Sequence, residues 1–253
     1  MKRNVFKLVT LLAAATLMVA FVGNAFAGSA WEKIKEKGVM TIGNSPDYPP
    51  FEFIGDTGER TGFDIDLMDA LSKEMGIEVR WMTMDFAAIV TAVQSGQADI
   101  GMSGMSVSEE RRQQVDFSDP YVASGQVIVT LPDSPVKSAE DLKGKKIAVQ
   151  LGTTGEQQAD KIEGATVVRP ETYNIAFMML KNKAADAVIA DLSVADEYAK
   201  QGMFQRAGEP LSLEEFAIIT KKGNSDLLEA LNNALKAVKA SGKYDEIVKK
   251  WNL

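Results

Sequence analysis

The chain has 253 residues, a formal net charge of −7 at neutral pH, and neither cysteine nor histidine. Disulfides, thiolate metal sites, and Ser-His-Asp or Cys-His catalysis are therefore excluded, together with the commonest metal ligand. The acidic balance argues against a nucleic-acid or anionic-membrane surface, which needs a basic patch, but it leaves room for a local cationic pocket.

Lys2, Arg3 and Lys7 precede an apolar run from Leu8 to about Val22, and Ala25-Phe26-Ala27 supplies small residues around a cleavage point. This order predicts a signal peptide over residues 1–27. The apolar run is short and wrongly flanked for a membrane span. No cysteine follows it, so the mature protein is expected to begin near Gly28, in the periplasm and without a lipid anchor. What remains is long enough for one large domain or two lobes with separate cores.

Strand-like and helix-like segments then alternate. Val39–Gly43 reads as a strand. Gly62–Met75 reads as an amphipathic helix, with Phe63, Leu67, Leu71 and Met75 on one stripe and Gly76 as its stop. Ile77–Met82 is a predicted strand, Phe86–Gln94 a helix and Ala98–Met102 a strand. A second run follows: strands at Gln126–Leu131, Lys145–Gln150, Thr166–Arg169 and Ala187–Ala190. Helices are expected at Ser138–Leu142, after Gly152, at Ile175–Leu180 and at Val194–Lys200. Phe216–Thr220 is one more strand, and helices near Asp226–Ala240 and Tyr244–Trp251 close the chain. This is the βαβ rhythm of largely parallel sheets. No flexible linker separates the two α/β units. The links read as the strands Gln126–Leu131 and Phe216–Thr220, so the second unit is expected to be inserted into the first, leaving a cleft and a hinge.

The stretch SEERRQQVDFSDPY, Ser108–Tyr121, places two adjacent arginines after Gly101–Ser106, in which the small residues Gly101, Ser103, Gly104 and Ser106 alternate with methionines. Open α/β sheets bind ligands beyond the carboxyl ends of their strands. Three such ends are expected to converge: Asn44–Tyr48, Ser103–Arg111 and Gly152–Gly155. The last opens a helix, whose unpaired N–H groups attract an anion. A guanidinium, backbone N–H groups and Ser or Thr hydroxyls together suit a carboxylate. Asp191, just after a predicted strand, could pair with an ammonium.

Six motifs in order then carry a resemblance: PPFEF (Pro49–Phe53), GFDIDL (Gly62–Leu67), MDFAAIVTAVQSGQADI (Met84–Ile100), SEERRQQVDFSDPY, LGTTGE (Leu151–Glu156) and ADAVIAD (Ala185–Asp191). The chain resembles the periplasmic amino-acid-binding proteins of ABC transporters, the polar amino-acid solute-binding family 3. The resemblance implies a two-lobed periplasmic binding protein fold of type II, with two hinge strands. Lobe 1 would comprise residues 28–125 and 218–253, and lobe 2 residues 126–217. It implies that Arg111 grips the ligand α-carboxylate with Ser106 and Thr154. Asp191 would bind the α-ammonium, assisted by the Gly104 carbonyl. Tyr48 and Phe86 would flank the side chain, and Arg112 would face solvent.

Ser45 departs from the many relatives that carry Asp there, which weakens the case for lysine. Some arginine-binding relatives resemble the chain at Ser45, Gln150 and GTTGE, and glutamine and arginine lead the expected ligands. Asp64 and Asp66 are expected to be solvated or to serve structure between elements. The expected partners are an amino acid and an inner-membrane permease, with a monomeric chain and no cofactor or metal. A cyclohexadienyl or arogenate dehydratase-like enzyme is the alternative on this fold. It would need a cleft acid beyond the one that meets the ammonium, and the sequence offers no evident spare acid.

Overall fold

Residues 29–200 and 202–253 are described by the structure, a computed structural model. The expected signal peptide lies outside them. Helix α1 (Ala30–Lys37) starts on a capping box: Glu32 N donates to Ser29 Oγ and Ser29 N donates to Glu32 Oε2, each at 3.3 Å.

The first sheet has the order β5-β1-β6-β15-β7. Strand β1 (Val39–Asn44) lies parallel to β5 (Glu78–Thr83) and β6 (Ile100–Gly101). Strand β15 (Ile219–Lys221) runs antiparallel between β6 and β7 (Val115–Phe117). Helix α2 (Phe63–Met75) buries Phe63, Leu67 and Leu71, the stripe read from sequence. Helix α3 (Phe86–Ser95) buries Ile89 and Val93 against Met105 and Ile219. Helices α8 (Ser225–Ala240) and α9 (Lys243–Trp251) pack on α2.

The second sheet repeats the plan in the order β11-β10-β12-β9-β13. Strands β10 (Lys146–Ala148), β11 (Thr166–Val168) and β12 (Ala187–Asp191) are parallel. Strand β9 (Gln126–Thr130) runs against β12 and β13 (Gln205–Ala207). Each sheet is thus mainly parallel with one reversed strand. The reversed strands, β9 and β15, are those reached directly after a crossing between lobes.

The crossings themselves fall a few residues earlier than the sequence suggests. Gln126–Thr130 and Ile219–Lys221 belong to the lobe sheets, and the segments that pass between them are β8 (Val122–Ser124) and β14 (Glu214–Phe216). These two pair antiparallel, Ser124 opposite Glu214 and Val122 opposite Phe216. They meet again at Gly125, where a Cβ would stand 2.2 Å from the Ser212 carbonyl oxygen; only glycine fits. A small antiparallel meander, β2 (Asp47–Tyr48), β3 (Glu52–Ile54) and β4 (Arg60–Thr61), completes lobe 1.

Buried side chains form a core that is continuous from lobe 1 into lobe 2. Tyr48 of lobe 1 meets Tyr173 of lobe 2 with ring centroids 5.0 Å apart. Among the described residues, no helix is long and apolar enough to cross a membrane.

Candidate functional site

The carboxyl ends of β1, β6, β10 and β12 all face one cavity between the lobes. All nine residues singled out in the sequence line it.

Arg111 sits in the one-turn helix α4 (Glu109–Arg112), whose cap is Ser108: Arg111 N donates to Ser108 Oγ at 3.2 Å. The helical turn sends neighbouring side chains in different directions. Arg111 is buried, whereas Arg112 is half-exposed, near Glu109 and over the Phe117 ring. The Arg111 guanidinium donates from Nη1 to the Ser106 carbonyl at 2.7 Å and from Nη2 to the Gly152 carbonyl at 2.9 Å. These bonds engage part of a five-donor fork, and the rest remains for an anion. Phe86 lies flat beneath it, 5.4 Å from ring centroid to guanidinium carbon. Phe86 therefore supports the cation as well as bounding the cavity. Burial lowers the Arg111 pKa to about 10, opposed by the nearby Glu214 and Glu110 carboxylates, so the side chain stays charged at neutral pH.

Helix α5 (Thr154–Asp160) begins beside Arg111. Thr153 is its cap, accepting from Glu156 N at 3.2 Å, which leaves the Thr154 hydroxyl directed into the cleft. Thr154 Oγ1 lies 3.4 Å from Ser106 Oγ and donates to Glu214 Oε2 at 2.6 Å.

On the other side is Asp191. It occupies the cap position of α7 (Leu192–Ala199) but makes no side-chain cap bond. Its carboxylate instead accepts from Gln126 Nε2 at 2.8 Å, from Ser124 Oγ at 3.2 Å and from the Tyr48 hydroxyl of the opposite lobe. Burial pushes its pKa well up, and the Glu214 charge adds to that.

Gly104 has φ +52°, and a Cβ would stand 2.8 Å from the Tyr48 ring, so the close approach of the two demands glycine. Ser45 and Gln150 meet at a residue the sequence reading overlooked, Asp47. Its carboxylate accepts from Ser45 Oγ at 2.9 Å, from Gln150 Nε2 at 3.1 Å and from Tyr173 N at 2.9 Å. The last is at the start of helix α6 (Tyr173–Lys181), so Asp47 ties lobe 1 to a helix N-terminus of lobe 2. Burial raises the Asp47 pKa, partly offset by these bonds.

Asp47, Glu52 and Ser103 also line the cavity, and Glu214 stands behind Thr154. The expectation of no spare acid is corrected here: the site holds several carboxyl groups against Arg111, which is the cavity's one lining cation among the described residues. Local pattern could not show this, because Glu52 and Glu214 come from short strands that only the tertiary fold brings to the cleft. Asp64 is fully buried behind the wall, while Asp66 reaches the surface and pairs with Lys250.

Two α/β lobes, paired crossing strands and an interlobe cavity holding a buried cation and a buried anion define a two-lobed binding protein. Residues 40–253 match the family described as bacterial extracellular solute-binding proteins, family 3. The chain belongs to that family. It is 36% identical over 222 residues to a probable histidine-binding protein of Campylobacter jejuni, covering 85% of each chain. It is also 36% identical to ABC transporter arginine-binding protein 1 of Escherichia coli, covering 95% of this chain and 98% of the relative. Among solved structures, an ancestral arginine-binding protein bound to arginine is similar at a TM-score of 0.82 and 44% identity. The match spans 85% of this chain and 98% of that one.

Proposed function

We propose that the protein captures a polar neutral or basic amino acid between its lobes and delivers it to the permease of an ABC importer, making and breaking no covalent bond. The observation that carries this is the buried pair of opposite charges, Arg111 and Asp191, facing one interlobe cavity. Arg111, with Ser106 and Thr154, takes the α-carboxylate. Asp191 and the Gly104 carbonyl take the α-ammonium, displacing the internal donors that Asp191 now uses. The side chain runs past Tyr48 toward Ser45 and Gln150. The Asp47 carboxylate at that end favours a basic side chain, and arginine and glutamine remain the leading ligands.

Residues 28–125 with 218–253 form one lobe and 126–217 the other, and ligand touching both favours closure. The mature chain begins near Gly28 and acts in the periplasm as a monomer. The dehydratase reading gains no support from Asp47 and Glu214, whose oxygens are engaged by protein donors: Ser45, Gln150 and Tyr173 N on the first, Thr154 and Ser212 on the second. Glu52, the third acid, is fully buried and tied to Ser103.

The test is a thermal-melt panel of amino acids. A ligand at a hundred times its Kd adds about 2.7 kcal/mol of stability. The largest shifts are expected from L-arginine, L-histidine or L-glutamine. A largest shift from glutamate or aspartate would refute the ligand class.

A further inference from the structure

At the cavity wall two carboxyl groups are buried side by side, Glu52 in the lining and Asp64 behind it. Glu52 on β3 and Asp64 in the first turn of α2 are both fully buried. Glu52 Oε1 accepts from Ser103 Oγ at 2.8 Å, and Ser103 Oγ in turn accepts from Ser45 N at 3.0 Å. Asp64 Oδ2 accepts from Gly104 N at 3.0 Å and from the Tyr121 hydroxyl at 2.9 Å. One oxygen of each acid, Glu52 Oε2 and Asp64 Oδ1, has no protein donor among the described residues. The two acids are neighbours: Asp64 N donates to the carbonyl of Phe51, the residue before Glu52, at 2.9 Å, and their side chains bond to the successive residues Ser103 and Gly104.

Two buried carboxyls side by side cannot both ionise. A single proton between them satisfies both leftover oxygens at once, and a buried polar group without a partner is otherwise costly. We propose that Glu52 and Asp64 share one proton as a positioning pair, Glu52 donating to Asp64, and that the pair holds Ser103 and Gly104 in place at the ligand site. The inference rests on the reading of that site as the place where an amino acid binds. Asp64 fixes the Gly104 amide, and Glu52, through the Ser103 hydroxyl, fixes the Ser45 amide. Successive residues of one wall are thus anchored from behind, and Gly104 has no room to relax toward Tyr48.

The surrounding charges favour this arrangement. Asp47 faces Glu52 and opposes its ionisation. Arg60 lies near Glu52, but its guanidinium is turned to Asn44 Oδ1 and, at 2.7 Å, to Thr83 Oγ1. Tyr121 donates to Asp64, and Tyr244 donates to the Tyr121 carbonyl. Burial, the largest cause for both acids, pushes Asp64 up to about 6 and Glu52 well above the usual carboxyl range. Both are raised above their unfolded values. Their contribution to stability is therefore complete at acid pH and is lost as pH rises through the folded values.

Infrared spectroscopy at pH 8 tests the proton, since ordinary carboxyls are all ionised there. The wild-type protein should show the carbonyl stretch of a neutral carboxylic acid, and Glu52→Gln should lose that band. Calorimetry with L-arginine at pH 7 tests the positioning. Glu52→Gln keeps a donor toward Asp64 and an acceptor for Ser103, so it should bind L-arginine more tightly than Glu52→Ala. Glu52→Ala should weaken binding about tenfold or more, as for loss of a bond within a buried network. Wild type lacking any band that Glu52→Gln removes would overturn the shared proton. Full affinity in Glu52→Ala would overturn the positioning role. A band lost in Glu52→Gln, with no binding of L-arginine, L-histidine or L-glutamine by wild type, would refute the amino-acid reading and leave the shared proton standing.

Discussion

Replacing Arg111 by alanine should cost most of the affinity for an amino acid, and the structure indicates why. The guanidinium is buried, stacked on Phe86 and aimed by two carbonyls, Ser106 and Gly152, one on each lobe. A carboxylate bound there is out of water. Removing one partner of a buried charge pair costs about 3–5 kcal/mol, or roughly a hundred-fold or more in Kd. Lysine should recover only part of this. Its ammonium is a point charge and cannot hold both carbonyls while offering a planar fork to a carboxylate. Arg112, half-exposed and paired with Glu109 at 3.6 Å, should matter by less than about 1 kcal/mol. Calorimetric titration of Arg111→Ala, Arg111→Lys and Arg112→Ala with L-arginine separates these. Intact binding in Arg111→Ala, or its loss in Arg112→Ala, would refute the assignment of the buried cation.

Asp191→Asn should weaken binding by at least tenfold, and wild-type affinity should fall with pH as the raised Asp191 carboxyl takes up a proton and ceases to attract an ammonium; calorimetry between pH 5 and 8 reads both. In the ligand-free protein the sign for folding is opposite, since a folded pKa raised above the unfolded one makes Asp191 cost stability as pH rises. Gly62 has φ +134°, and a Cβ would stand 2.0 Å from the Phe51 carbonyl oxygen. Gly62→Ala should therefore lose about 3 kcal/mol or more, a fall of roughly 6–12 °C in Tm; an unchanged melt would contradict that backbone. Small-angle scattering should show a smaller radius of gyration with saturating L-arginine than without, and equal radii would count against ligand-driven closure.

Much of the fold was legible because its cues are local. Phe63, Leu67 and Leu71 recur at helical spacing, and the all-apolar runs at 127–129 and 187–190 mark strands buried on both faces. Strands of two or three residues, such as β2, β8 and β14, were not legible, because their only reason to be extended is a partner far along the chain. The capping box at Ser29 and Glu32 was visible and overlooked. At the site, Arg111 and Asp191 stand out through the motifs around them. Asp47, Glu52 and Glu214 do not, since what distinguishes a cleft acid from a surface one is burial. Asp64 and Asp66 make the point within one helical turn: two residues apart, one is sealed behind the wall and the other is tied to Lys250 and Trp251.

The pairing of β8 with β14 has a mechanical consequence. Two strands bonded side by side form a ribbon, which bends across its face far more readily than it shears in its own plane. Gly125 pressed against Ser212 pins the ribbon at one end. A relative movement of the lobes would then follow the bending of this ribbon, while its ladder of hydrogen bonds resists sliding of one lobe past the other. One interlobe distance, from Tyr48 to Tyr173 for example, would report that bending, and two probes placed across the gap would follow it.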